Sequence, residues 1–231
     1  MTILQAEGVV KRYPGKRALD GLDLTLGAGR IAGLFGPNGS GKTTFLKIIT
    51  GLAHPTRGRL EICGEPLGWR TRALVAYLPD SDFLYDWMRI CEAGDVYARF
   101  YPDFDRERYG KLLEFMRLEP DAAFKSLSRG MREKLGLALT LSRRARLTVL
   151  DEPLGGVDPI AREQILGAII REFRIDSSML ITSHLIHEFE TVVDEAFYIK
   201  DGKIVLSGDT EALREQRGKT LDELYREVFA Q

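Results

Sequence analysis

The sequence predicts an α/β fold with three parts: a mainly parallel sheet core, an N-terminal antiparallel β region and an inserted α-helical subdomain. Short apolar runs bounded by Gly, Pro and Asp fill residues 1–80, the composition turns helical over 81–144, and strand-like and helix-like runs alternate again over 145–231. The whole chain, 1–231, therefore reads as one domain, with 1–80 and 145–231 as its core lobe and 81–144 as the helical subdomain.

Ile3 to Val10, Leu22 to Leu26 and Arg59 to Cys63 show the alternation or short apolar runs of strands, and they supply the N-terminal β region. Ile31-Ala32-Gly33-Leu34-Phe35 reads as a buried strand. Thr43 to Leu52 follows as a helix with Phe45, Leu46, Ile49 and Leu52 facing inward. Leu74 to Leu78 is a further strand, closed by Pro79. Helices are expected at Glu92 to Phe100, Asp105 to Arg117 and Met131 to Arg143. The succession of Leu147 to Leu150 (strand), Ile160 to Phe173 (helix), Met179 to Thr182 (strand) and His187 to Val192 (helix) implies parallel strands covered by helices. Asp201-Gly202 between two β-like runs, Tyr198 to Lys200 and Lys203 to Val205, marks a hairpin. Thr210 to Gln216 and Leu221 to Phe229 close the chain as helices.

At 231 residues, 44% hydrophobic and 29% charged, the chain can bury a sizeable core. Its formal net charge is -1 with Lys and Arg scattered, so no nucleic-acid partner and no anionic membrane surface is expected. Apolar runs such as Leu135 to Leu139 fall far short of the roughly 18 residues a spanning helix needs, so a membrane role would go through a partner. Met1 to Glu7 lacks the layout of an export signal, and Cys63 and Cys91 have no CxxC spacing, which points to a reducing cytoplasm. Cys63 reads as a small buried hydrophobe.

Gly36-Pro37-Asn38-Gly39-Ser40-Gly41-Lys42-Thr43-Thr44 fits the phosphate-loop pattern GxxxxGK[ST], between a strand-like run and a helix-like one. Its glycines let the backbone curl until successive N–H groups point at anionic oxygens, and the helix that follows adds its positive end. Lys42 supplies a mobile charge for the β- and γ-phosphates, and Thr43 a hydroxyl for Mg²⁺. A nucleoside triphosphate site follows.

Leu147 to Leu150 ends in Asp151-Glu152-Pro153, two carboxylates where an open α/β sheet presents its ligands. Asp151 is placed to hold Mg²⁺ through its water shell, and Glu152 to polarise the water that attacks the γ-phosphate. Leu127-Ser128-Arg129-Gly130-Met131 opens a helix with a hydroxyl, a glycine and free N–H groups, all suited to phosphate.

The order Tyr13, GPNGSGKTT, LSRGM, LDEP, Leu154-Gly155-Gly156-Val157-Asp158, Ser183-His184 resembles the ATP-binding cassette family, the ATPase subunits of ABC transporters, over essentially the whole chain. The resemblance implies a P-loop NTPase core of the RecA-like class. It also implies that Tyr13 stacks on adenine, that Asp158 belongs to a loop crossing the dimer interface and that His184 contacts the γ-phosphate and the attacking water. The expected ligands are ATP and Mg²⁺. The expected partners are a second ATPase subunit, identical or not, packed head to tail, and separate transmembrane permease subunits that would hold the chain on the inner face of the cell membrane. The exposed-looking run Phe83-Leu84-Tyr85-Asp86-Trp87-Met88 is the candidate permease contact.

Two departures stand out. Asp80 occupies the place of the family's usual glutamine and could still reach Mg²⁺ or a water, while Arg129 and Met131 replace a glycine and a glutamine in the signature. These substitutions resemble a branch of bacterial exporter-like cassettes that includes bacitracin-resistance and Ytr-type transporters. A soluble cassette ATPase driving an assembly process, a small-molecule kinase and a nucleotide-sensing module remain as other readings.

Overall fold

Alternating apolar and polar residues in Thr2–Tyr13 (β1) and Lys16–Gly27 (β2) make a long antiparallel hairpin; β1 then pairs on its other side with Arg57–Ile62 (β4). A two-residue strand, Glu65–Pro66 (β5), completes a four-stranded sheet of order β2-β1-β4-β5. The structure is a computed structural model, and it describes residues 1–230.

The second sheet is built on Ile31–Phe35 (β3), fully buried as its composition requires. With Val75–Leu78 (β6), Leu147–Asp151 (β7), Ser178–Ser183 (β8), Glu195–Lys200 (β9) and Lys203–Asp209 (β10) it forms six strands in the order β10-β9-β3-β8-β7-β6. Every pairing is parallel except the β9–β10 hairpin. The period of two divides the sheet's side chains between two cores. Ala32, Leu34, Val149, Leu180, Phe197 and Ile199 face the antiparallel sheet and Lys42–Ile49 (α1), whereas Phe35, Leu150, Ile181, Ala196 and Tyr198 face the remaining helices.

Between β6 and β7 the chain is helical: Ile90–Phe100 (α3), Arg106–Phe115 (α4), a short 3₁₀ turn at Phe124–Ser126 and Arg129–Leu141 (α5). Trp69–Ala73 (α2) precedes β6. Pro159–Glu172 (α6), Ile186–Phe189 (α7), Thr210–Arg217 (α8) and Leu221–Phe229 (α9) complete the helices. Side-chain caps start α4, α5, α6, α8 and α9 at Asp105, Ser128, Asp158, Asp209 and Thr220. Arg143 locks the helical segment to the sheet. Its buried guanidinium donates to the Val75 and Ala73 carbonyls and to Asp103, and it lies 4.0 Å from the Tyr101 ring centroid.

Three expectations are corrected. Leu52 is 68% exposed, because α1 stops at Ile49 and Gly51, at a φ of 71°, turns the chain away. Cys63 is half-buried and takes a φ of 54° where β4 turns into β5. Met88, the last residue of the exposed-looking aromatic run, is buried.

Candidate functional site at the carboxyl edge of the sheet

Parallel register collects the site. Phe35 pairs with Ser183, Asp151 with Thr182 and Leu78 with Leu150, so the residues that leave β3, β7, β8 and β6 (Gly36, Glu152, His184 and Asp80) emerge at one edge. This is the edge at which open α/β sheets bind ligands.

The loop 36–41 wraps the start of α1. Gly41 caps that helix at a φ of 115°, and a Cβ there would lie 2.6 Å from the Ala18 carbonyl; at Gly36 it would lie 2.5 Å from the Ile199 carbonyl. Only glycine fits either place. Lys42 folds its ammonium back across the loop, donating to Gly36 O at 2.6 Å and Pro37 O at 3.3 Å, and sits 3.4 Å from Glu152 Oε1. The buried Ser40 hydroxyl, inside the loop beside Gly36, has no hydrogen-bond partner among the described residues. A cleft of about 160 Å³ opens here, bounded by the loop, Lys42, Thr43, Thr44, Asp80, Glu152 and also Lys16.

Thr182 Oγ1 donates to Asp151 Oδ1 at 2.7 Å and accepts from the Glu152 N–H at 3.0 Å. Glu152 adopts a φ of 52°, a left-handed conformation that costs free energy for a side chain of its size and is held by that bond. Its Oε2 accepts the His184 backbone N–H at 3.1 Å and lies 2.7 Å from His184 Nδ1. That contact orients the His184 ring and leaves Nε2 as the ring nitrogen outside it.

Burial pushes Asp151 above the usual carboxylate range, opposed by hydrogen bonds from Thr182 and Thr43. Asp80 is raised as well, by burial first and then by the Glu152 carboxylate, against the neighbouring Arg129, His184 and Lys42 side chains. Thr43 and Asp151 offer two hard oxygen donors side by side, and among the described residues no cluster of three or more His, Cys, Asp or Glu could cage an ion. That donor set fits Mg²⁺, which keeps its waters and shares phosphate oxygens.

Ser128 and Asp158 cap α5 and α6, and a Cβ at Gly130 would lie 3.4 Å from Asp158 Oδ2, so these two helix starts sit together. None of Ser128, Gly130 or Asp158 bounds the phosphate-loop cleft of its own chain. Tyr13 ends β1, is 41% exposed and has the Lys11 ammonium 5.0 Å from its ring centroid. Lys16 and Thr182 were not legible from spacing: one is a cation among several at the start of β2 and the other a hydroxyl inside an apolar strand.

No described helix is long and apolar enough to cross a membrane. A second groove, about 390 Å³, lies between the sheet and the helical segment, lined by Leu52, Tyr77, Phe83, Tyr97 and Tyr101 among others. Beside it in the chain, Tyr85 and Trp87 are exposed and stacked at 5.7 Å.

Residues 19–155 match the family profile described as "ABC transporter". The "Nod factor export ATP-binding protein I" of Ralstonia nicotianae is 36% identical over 214 residues, covering 89% of this chain and 67% of that protein. Among solved structures, an "ATP binding subunit of ABC transporter" superposes with a TM-score of 0.88 at 26% identity, covering 98% of this chain and 99% of that one. A dimeric ATP-binding cassette in a post-hydrolysis state, bound to ADP and Pi, superposes with a TM-score of 0.80 at 21% identity, covering 90% and 98%.

Proposed function

The chain belongs to the ABC transporter family as an ATP-binding, ATP-hydrolysing subunit, and from that premise we propose that two copies, or a copy and a sister subunit, close head to tail around ATP to drive export through separate permease subunits. One observation carries the reading. The cleft beside Lys42 holds the phosphate loop and Glu152 but lacks Ser128, Gly130 and Asp158, which stand at two other helix starts of the same chain. A second subunit would bring those starts to the open side of the nucleotide.

In this reading Tyr13 packs on the adenine, and the N–H groups of Gly36, Asn38, Gly39, Ser40, Gly41, Thr43 and Thr44 surround the phosphates, with Pro37 shaping the loop between them. Lys42 leaves its loop carbonyls for the β- and γ-phosphates. Thr43 and Asp151, with Asp80 nearby, would hold Mg²⁺, which neutralises phosphate charge when bound. Glu152 takes the proton of the attacking water, and His184, fixed by its Nδ1 contact to Glu152, presents Nε2 toward the γ-phosphate region. Because ATP interacts more favourably with the closed pair, binding shifts the population toward closure, and hydrolysis releases it.

Segment 81–144 acts as the lobe that carries Ser128 and Gly130 and meets the permease. The aromatic groove and the exposed Phe83, Tyr85 and Trp87 form the contact. Export as the direction draws on the name of the Ralstonia relative and on the exporter-like resemblance.

Glu152→Gln tests the reading. It should retain ATP, lose turnover by about 10²–10⁴-fold and elute as a stable dimer with ATP but not ADP; a monomer under both nucleotides would contradict it.

A further inference from the structure

Arg129 and Asp80 lie on different elements, at the first turn of α5 and in the segment after β6, yet both reach the same turn of the chain. That turn is Gly155-Gly156, and the Gly155 N–H donates to the Glu152 carbonyl at 2.9 Å. A Cβ at Gly156 would fall 2.5 to 2.9 Å from three atoms of the Arg129 guanidinium, so the guanidinium rests on bare glycine backbone. A Cβ at Gly155 would lie 3.8 Å from both Arg129 Nη2 and Asp80 Oδ1. The opposite charges therefore flank a single point beside the catalytic glutamate.

Arg129 is exposed, and its guanidinium lies over this turn. Arg132, next along α5, is paired with Asp82 at 2.6 Å and lies over the Phe124 ring at 4.6 Å. Arg129, Asp80 and Glu133 border a common polar depression of about 430 Å³. Asp80 has the Glu152 carboxylate nearby and itself acts on Glu133, and Arg129 is the first of the groups that oppose this on Asp80, ahead of His184 and Lys42.

We propose that Arg129 is a positioning residue for hydrolysis: it clamps the Gly155-Gly156 turn, offsets the charge of Asp80, and so fixes the backbone on which Glu152 is carried. The proposal rests on the reading of Glu152 given above. It assigns Arg129 to its own chain, not to the nucleotide of a partner subunit.

A double-mutant cycle on ATPase activity tests it, using Arg129→Gln, Asp80→Asn and the double variant, with Arg129→Lys as the variant that keeps the charge. Arg129→Gln should lower kcat by about fivefold, the scale of one partly exposed charge interaction, with KM for ATP changed by less than about twofold. Arg129→Lys should keep most of kcat. The double variant should be no slower than Asp80→Asn alone, because the charge to be offset is already gone. Multiplying losses in the double variant, an equal loss in Arg129→Lys, or a loss carried in KM would overturn the proposal. Arg129→Ala replaces Arg129→Gln in the same cycle if the latter is not recovered folded. An inactive wild type, or Glu152→Gln that does not dimerise with ATP, would instead strike the proposed function itself.

Discussion

The Thr182 hydroxyl holds both carboxylate residues of the site, donating to Asp151 and accepting from the N–H of a strained Glu152. Thr182→Val keeps the shape of the side chain and removes both bonds, one of them to a carboxylate. Losing a bond of that kind costs about 1.5–3 kcal/mol, so kcat should fall by roughly ten- to a hundredfold. ATP affinity should hold within about twofold, and Thr182→Ser should recover most of the rate. Steady-state kinetics beside fluorescent-nucleotide binding checks this; an equal loss in the serine variant would mean that the methyl group matters, not the hydroxyl. Lys42→Ala should behave differently, weakening ATP binding itself, because its ammonium is the buried charge nearest the loop. At this scale the sequence shows the loop, Asp151 and Glu152, since fixed spacing between a strand and a helix leaves a pattern. It hides Thr182, Lys16 and the turn that both Arg129 and Asp80 reach, because these depend on which strands become neighbours.

Helix α5 shows how one element is fixed by packing. Its glycine at 136 lies against β6, where a Cβ would come 2.7 Å from Leu78 Cδ1 and 3.3 Å from the Phe83 ring. Gly136→Leu should therefore destabilise the chain by about 1–3 kcal/mol, read as a lowered denaturant midpoint at unchanged slope. On the same helix, burial pushes Glu133 up to about 7, helped by Asp80 and Asp82 and opposed by Arg129. A carboxyl raised in the folded state stabilises the fold while protonated, and that contribution is lost as pH rises from the ordinary value of 4.5 through about 7. Glu133→Gln should then melt higher than wild type near pH 8, with the gain shrinking toward about pH 5. Most helices and the β3, β6, β7 and β8 strands were legible from period and turn residues. Short β5 and α2 were not: a proline in a two-residue strand and a five-residue helix give no periodic signal. Leu52 misled because apolar spacing continued after Gly51 had ended the helix.

For the whole molecule, two cores on opposite faces of one sheet hold the phosphate loop and the helical segment to a common frame. A groove lies between that frame and the helical segment, and the proposed function makes it the permease contact. Tyr85→Ala with Trp87→Ala should reduce co-purification with membrane components and leave the ATPase rate of the isolated subunit within about twofold. Equal recovery of membrane partner would move the contact elsewhere. The alternation of strands and helices revealed the architecture, and the motif order already implied a site shared between two subunits; the separation of Ser128, Gly130 and Asp158 from the phosphate-loop cleft of the same chain is what the structure adds.

The central claim is that terminal phosphate is held between two subunits, and the most direct measurement is a crystal structure of the Glu152→Gln variant with ATP and Mg²⁺. The account predicts the Ser128 hydroxyl and the Gly130 N–H of one subunit within hydrogen-bonding distance of the γ-phosphate held by Lys42 of the other. A γ-phosphate contacted by one chain alone, with both signature residues turned to solvent in every pairing, would contradict it.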